Sequence, residues 1–584
     1  MKRDICVGFV GAGGAGVVSC GEMLIQAAAN EGLSAMATMS FGPQIRGGES
    51  SSKLRIADHT IYTPGDFLDV LVAFHLGEYP KFKAELELKD DAVVILEQND
   101  ALSENPPIPL KPGMRVVRVP FQKLAKEEAK NPLAVNIVAL GLVCELFGLP
   151  YEGLVKIITR KFTKKGDAVV QANLKALEIG RAYGRDTLTD KTGIGALAYT
   201  RKDPCLVMTG NDAVALGTIY GGCDFFAGYP ITPSSEVMHQ LSEFLPLFGA
   251  RMLQVEDEIS AICHCIGASF AGAKALTVTS GPGLSLMQEG IGLASISEIP
   301  LVIVDVQRGG PSTGLPTKSE QGDLLPAVFG THGDAPKIVI APADVQDCFD
   351  TTIEAIYAAE HYQMPVIVLS DQYLGHRFES IPRKVFHKVE HTATARLLPA
   401  PEDLIDYIRY KDTPSGISPM AIPGTPGGMH LASGITHDER GDPSSNFEVH
   451  ERTIVKRFRK FNEVRKELQY IRHYGPEDAK VGAVAWGSTK GAVREAVERL
   501  NAEGAKVKAV VPQIIYPPNY GQFDAYVQPM EKFVVFESSW NQQFSKFIKT
   551  YYQPGKQQIH SYAHAGGRAL RAQEIYDSLK EVCK

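Results

Sequence analysis

Between Phe225 and Asp371 the chain repeats one device, a short apolar run that stops at a turn and hands over to a helical stretch. The runs lie at 225–228, 251–255, 275–280, 301–306 and 365–371. Apolar strands alternating with helices fit a parallel sheet covered on both faces, so the spacing predicts a doubly wound α/β domain. In such sheets function collects at the carboxyl ends of the strands, which puts the weight on the turns.

After the first run comes Tyr229-Pro230-Ile231-Thr232-Pro233. This predicts Thr232 as a helix N-cap and Pro233 as the first helical residue. A helix starting there offers free N–H groups to an anion. The second run ends in Glu256-Asp257-Glu258 and leads into 259–272, almost wholly apolar or small and therefore predicted as a buried helix. Acids in a first turn ordinarily serve the helix dipole, but three entering a buried helix place at least one carboxyl out of water. His264, within that helix, reads as a hydrogen-bonded interior histidine. The third run turns at Gly281-Pro282-Gly283, and the fourth spills into Gln307-Arg308-Gly309-Gly310. A guanidinium between a strand end and two glycines suits a carboxylate. The competing reading is a structural ion pair of Arg308 with Asp305 or Glu320.

At the N-terminus a strand over 4–10 meets Gly11-Ala12-Gly13-Gly14-Ala15-Gly16, a match to G-x-G-x-x-G, and then a helix from Val17 to about Asn30. The next strand, 34–40, carries none of the acids a nicotinamide dinucleotide needs. Two readings stay open: another phosphate-bearing ligand, or tight strand–helix packing. The loop 40–52 sets Arg46 between Gly-Pro and Gly-Gly, and further strands fall at 69–74, 92–96 and 115–120. Residues 186–202 read as a linker and 411–450, rich in Pro and Gly, as an extended arm. A basic helical stretch, 450–473, precedes a small α/β unit with strands at 481–485, 507–512 and 533–537. The predicted domains are 1–190, 200–395 and 476–584, with 396–475 as connection.

A chain of 584 residues exceeds one core, and its 44% apolar and 22% charged residues are those of an ordinary globular protein. A net charge of −7 with mixed signs suggests no nucleic-acid or membrane partner. The start runs straight into a strand and no apolar run nears ~18–20 residues, which together predict a cytoplasmic protein. Nine scattered cysteines without a C-x-x-C give no ligand set for zinc or an iron–sulfur cluster, so no metal is assigned.

Taken together, the glycine loop 11–16, Phe41-Gly42-Pro43 with Arg46-Gly47-Gly48, Tyr229-Pro230-Ile231-Thr232-Pro233, Glu256-Asp257-Glu258, Ser280-Gly281-Pro282-Gly283 and Arg308-Gly309-Gly310-Pro311-Ser312-Thr313-Gly314 are specific. The chain resembles the 2-oxoacid:ferredoxin oxidoreductases, in the form that fuses a γ domain ahead of the α domains, and most of all those acting on 2-oxoglutarate. The resemblance implies three α/β domains: a γ-type domain, a thiamine-diphosphate pyrimidine-type doubly wound domain and a transketolase C-terminal-like domain. It further implies half an active site. Thiamine diphosphate is shared with a separate β subunit that carries Mg²⁺ and a 4Fe–4S cluster, and this sequence has no Gly-Asp-Gly diphosphate motif.

By the same resemblance Glu258 faces the pyrimidine ring nitrogen, with Glu256 as alternative. Arg308 and Thr232 meet the 2-oxoacid, and Tyr229, Pro230 and Ile231 line the cofactor. Gly13, Gly14 and Arg46 are candidates for coenzyme A. Arg46, Ser50 and His332 are candidates for a second substrate carboxylate. Ferredoxin takes the electrons, and two αβ units form the assembly. The alternatives are the same chemistry on pyruvate or a branched-chain 2-oxoacid, an NAD-dependent dehydrogenase, and a non-catalytic scaffold.

Overall fold

The computed structural model describes residues 2–42, 48–188, 195–383, 386, 396–468, 471–552, 555 and 557–584. The chain divides into two compact units, one of residues 1–208 with 377–388 and one of residues 209–376 with 389–584. Among the described residues no helix is long and apolar enough to cross a membrane.

The first unit is built on an eight-stranded sheet in the order Arg115–Val119, Leu88–Glu97, Leu68–Ala73, Asp4–Gly11, Ser50–Ala57, Ser34–Phe41, Phe378–Pro382, Cys205–Thr209. The glycine loop does not join neighbouring parallel strands. Ser50–Ala57 lies between its two flanking strands and runs antiparallel to both. Ser34–Phe41 and Ser50–Ala57 are therefore antiparallel neighbours. Ser-Ser-Ser-Lys-Leu-Arg-Ile-Ala shows no apolar run, yet almost all of it is buried. Its charged groups have partners: Arg55 reaches Asp4 at 2.6 Å, and the Lys53 Nζ donates to the Asp66 carbonyl at 3.1 Å. Buried charged groups persist only when paired in this way.

The second unit holds a seven-stranded sheet in the order Ile514–Tyr516, Ile338–Ile340, Pro365–Asp371, Leu301–Gln307, Ala275–Thr279, Phe225–Gly228, Arg251–Gln254. All neighbours are parallel except Ile514–Tyr516. The predicted apolar strands are all present, and Leu301–Gln307 is buried along its whole length. Side-chain caps set the helix starts: Thr209 with Asp212 closes a capping box, and Asp257 and Asp344 each accept a backbone N–H. A five-stranded sheet (Ile471–Tyr474, Val507–Pro512, Val481–Ala485, Lys532–Glu537, Gln558–Ala563) shares one apolar cluster with the seven-stranded sheet, which includes the fully buried Trp486.

Residues 396–446 contain no helix or strand, as the proline and glycine content predicts. They are held by charge. Arg396 forks onto Glu360 at 2.6 and 2.8 Å, and the Arg409 guanidinium donates to the Glu298 carbonyl at 2.8 Å. The basic helix is Phe447–Glu467, capped by Asn446. Its Lys456 and Lys460 both meet the buried Glu298 carboxylate, at 2.8 and 2.7 Å. Glu298 itself sits at φ 51, a left-handed conformation unusual for a side-chain-bearing residue.

Candidate functional site

Four adjacent strands of the seven-stranded sheet end on one edge, and each is followed by a segment of interest. Phe225–Gly228 leads to Tyr229–Pro233, Arg251–Gln254 to Glu256–Glu258, Ala275–Thr279 to Ser280–Gly283, and Leu301–Gln307 to Arg308. The winding reverses between Phe225–Gly228 and Ala275–Thr279, because the first leads on to Arg251–Gln254 on one side and the second to Leu301–Gln307 on the other. Ligands of open α/β sheets bind at such a switch point.

The three acids have separate fates. Glu256 is exposed, Asp257 caps the helix by accepting the Ser260 N–H at 2.7 Å, and Glu258 is only 5% exposed. One carboxyl is indeed withheld from water, and it is Glu258. Its neighbour is Gly283: a methyl group there would stand 2.7 Å from the Glu258 Oε1 and 2.0 Å from the Thr279 Oγ1. The third turn thus needs glycine because the Thr279 hydroxyl and the Glu258 side chain together occupy the space a side chain would fill.

Arg308 is buried, and among the described residues its one hydrogen bond runs from Nη1 to the Thr232 carbonyl at 2.6 Å. Its Nε has no partner. Burial holds the guanidinium pKa below the ordinary arginine value, while Asp323 and Glu258 act against that shift. The predicted ion pairs with Asp305 or Glu320 are not formed. Arg308 opens onto a cavity of about 870 Å³ whose wall includes Gly281, Ser285, Asp323, Asn541 and the exposed Trp540.

Other expectations need correction. Thr232 is not the helix cap. The helix begins at Ser235 with Ser234 before it, and Thr232–Pro233 is a cis peptide inside a turn closed by the Ser234 N–H on the Ile231 carbonyl at 2.9 Å. Thr232 is exposed on that turn, with its carbonyl on Arg308. Tyr229 and Pro230 are exposed beside it and Ile231 is half-buried. The 258–270 helix is not buried all round: Ile259, Cys263, His264 and Gly267 are exposed. His264 is hydrogen-bonded as predicted, to the Ser260 carbonyl at 2.8 Å, but at the surface. Small and apolar residues on all sides cannot tell a helix buried in its own chain from one with an open face.

His332 is exposed and does not line the cavity, and Ser50 is buried in the sheet of the first unit opposite Gly11. Gly13 and Gly14 are exposed at the start of the Val17–Asn30 helix, with Gly14 at φ 85. Arg46 lies outside the described residues.

A family model described as pyruvate flavodoxin/ferredoxin oxidoreductase, thiamine diP-binding, matches residues 216–456. A second, pyruvate ferredoxin/flavodoxin oxidoreductase, matches 6–183. The 2-oxoglutarate synthase subunit KorA of Methanothermobacter marburgensis is 37% identical over 373 residues, covering 63% of this chain and 97% of that one. The 2-oxoglutarate oxidoreductase subunit KorA of Mycobacterium tuberculosis is 32% identical over 564 residues, 89% and 84% of the two chains. This chain belongs to the 2-oxoacid:ferredoxin oxidoreductases. Among solved structures, the 2-oxoglutarate:ferredoxin oxidoreductase of Magnetococcus marinus, with 2-oxoglutarate, coenzyme A and succinyl-CoA bound, superposes with a TM-score of 0.94 at 38% identity over 100% of both chains.

In this oxidoreductase two acids beside the site escape the sequence reading as a unit. Among the described residues Asp305 is fully buried with both carboxyl oxygens unpartnered, and Asp323 lines the cavity with its Oδ2 unpartnered. A lone acid in Leu-Val-Ile-Val-Asp-Val was the available signal. Asp323, in a polar stretch, offered none.

Proposed function

We propose that this chain is the α-type subunit of a thiamine-diphosphate-dependent enzyme that decarboxylates 2-oxoglutarate oxidatively to succinyl-CoA and delivers the electrons to ferredoxin. The observation that carries the reading is the meeting of Glu258, Gly283, Thr232 and Arg308 at the switch-point edge, in a member of this family. The residues present fit the aminopyrimidine half of the cofactor: a buried carboxyl, a glycine that yields space beside it, and the Tyr229-Pro230-Ile231 turn. When bound, thiamine diphosphate supplies the electron sink for decarboxylation.

The roles of this chain's residues follow from their chemistry. Glu258 hydrogen-bonds a pyrimidine ring nitrogen and holds the proton there, and burial strengthens that bond. Arg308 receives the 2-oxoacid carboxylate through its free guanidinium edge, and its bond to the Thr232 carbonyl fixes the approach. Gly13, Gly14 and the Arg46 loop are assigned to coenzyme A. The diphosphate, Mg²⁺ and a 4Fe–4S cluster belong to a β partner, in an assembly of two αβ units in the cytoplasm.

The decisive experiment is co-purification with the β partner followed by coenzyme A-dependent viologen reduction on 2-oxoglutarate, pyruvate and branched-chain 2-oxoacids. Reduction with 2-oxoglutarate as the best substrate supports the reading, and NADH formation without a thiamine requirement overturns it. Arg308→Ala is expected to raise the KM for the 2-oxoacid about tenfold to hundredfold, the 1.5–3 kcal/mol of a hydrogen bond to a charged group, with a smaller change in kcat. Gly283→Ala forces a methyl against the Thr279 hydroxyl and the Glu258 carboxyl. Overpacking of this kind costs about 1–3 kcal/mol, and cofactor titration of the reconstituted complex is expected to show weakened thiamine diphosphate binding.

A further inference from the structure

We propose that Asp305 and Asp323 are a proton-sharing carboxyl pair that stands behind Arg308 and tunes its hold on the substrate carboxylate; the proposal rests on the reading of Arg308 given above. Asp305 lies inside the sheet, with Thr279 and Leu369 as its strand neighbours, and among the described residues no donor reaches either of its oxygens. Among the described residues the titratable group that acts on it is the Asp323 carboxyl, at hydrogen-bonding range. Two ionised carboxylates cannot face each other out of water, so the pair keeps one proton. The side of the pair that bears the charge is fixed by what surrounds it. Burial and then Asp323 drive the Asp305 pKa well above the ordinary aspartate value. Burial brings Asp323 to about 6, against the pull of the Asp305 proton and the Arg308 charge, while Glu320 pushes it up.

Asp323 also lies against the start of the Gly281–Ile296 helix: a methyl at Gly281 would stand 2.7 Å from its Oδ2. That helix has no acid in its first turn and no side-chain cap, so its positive end favours charge on Asp323. At neutral pH Asp305 therefore holds the proton, Asp323 is the anion, and Arg308 faces Asp323 as its internal counter-charge. A substrate carboxylate arriving at Arg308 meets the repulsion of Asp323. Protonating Asp323 removes it, and bound substrate in turn raises the pair's affinity for that proton.

The test is the pH dependence of KM and kcat for 2-oxoglutarate in the reconstituted αβ complex from pH 5.5 to 8. Wild-type KM is expected to fall about three- to tenfold toward acid, the change given by a coupling of half to one pKa unit. Its midpoint should lie near 6. Asp323→Asn should flatten the KM profile while the kcat profile keeps its shape. Asp305→Asn replaces the proton donor by a weaker amide and should move the midpoint upward. An Asp323→Asn enzyme that keeps the wild-type midpoint overturns the proposal. Should that variant not assemble, an unmoved midpoint in Asp305→Asn does the same. Arg308→Ala separates the two readings. If it leaves KM unchanged, the role of Arg308 falls; if it raises KM while the aspartate variants behave as wild type, only the carboxyl pair falls.

Discussion

Glu258→Gln is expected to lower kcat by about 10²–10⁴-fold, the span of a lost acid–base group, while the αβ complex still forms and retains thiamine diphosphate. The amide has the size of the carboxyl, so the contact with Gly283 survives. Only the capacity to hold a proton at a ring nitrogen is removed. Stopped-flow or steady-state viologen reduction with saturating substrate reads the loss, and cofactor retention shows that the site is intact. Turnover within a few-fold of wild type would remove Glu258 from the chemistry. Glu256→Gln, in an exposed side chain two residues earlier, is the matched control and should leave kcat unchanged.

The largest effect on stability is expected at Glu298. Burial alone would push its carboxyl up, but Lys456, Lys460 and Arg409 outweigh burial and hold it well below the usual carboxylate range. Glu298→Ala strands these cations. Breaking a buried pair by removing one partner costs about 3–5 kcal/mol, and here one carboxylate serves both lysines, which are 1–2% exposed. Lys460, which burial already brings down to about 7, should shed its proton in the variant and recover part of that loss. An acid with a depressed pKa stabilises the folded state fully above its unfolded value and loses that contribution only as the pH falls through the folded one. The deficit of the variant should therefore be complete at neutral pH and shrink in strong acid. Urea unfolding followed by the fluorescence of the buried Trp486, in a Trp540→Phe background, measures it. A midpoint within error of the parent would show that the cluster contributes nothing.

The sequence made some parts of this molecule readable and hid others for identifiable reasons. The strands of the seven-stranded sheet could be read because they are buried on both faces and so are written as apolar runs ended by Gly, Pro or an acid. Arg308 could be placed because it is the first cation after its strand, and Glu258 because it is the last of three acids, where the apolar helix begins. Ser50–Ala57 was not readable, since Lys53 is satisfied by the Asp66 carbonyl and Arg55 by Asp4, distant in sequence, and its burial does not come from apolar content. The Thr232 turn was misassigned because Thr-Pro before a polar helix carries the signature of a cap, whereas the backbone there spends two more residues turning. Glu298 follows a serine-rich helix end, and nothing in its neighbours announces that two lysines from a helix about 160 residues later converge on it. Such long-range charge matching leaves no local trace.

The strand Phe378–Pro382 belongs to the sheet of the first unit, pairing with Ser34–Phe41, although the chain on either side of residues 377–388 belongs to the second. The polypeptide is thus laced through its own modules, passing from one to the other three times. A gene fission at about residue 200 would leave the upstream product with one of its β-ladders unfilled, to be completed only by a segment borrowed from the downstream product. Independent expression of the two halves should accordingly give an N-terminal fragment that is soluble and folded only when the other is made beside it.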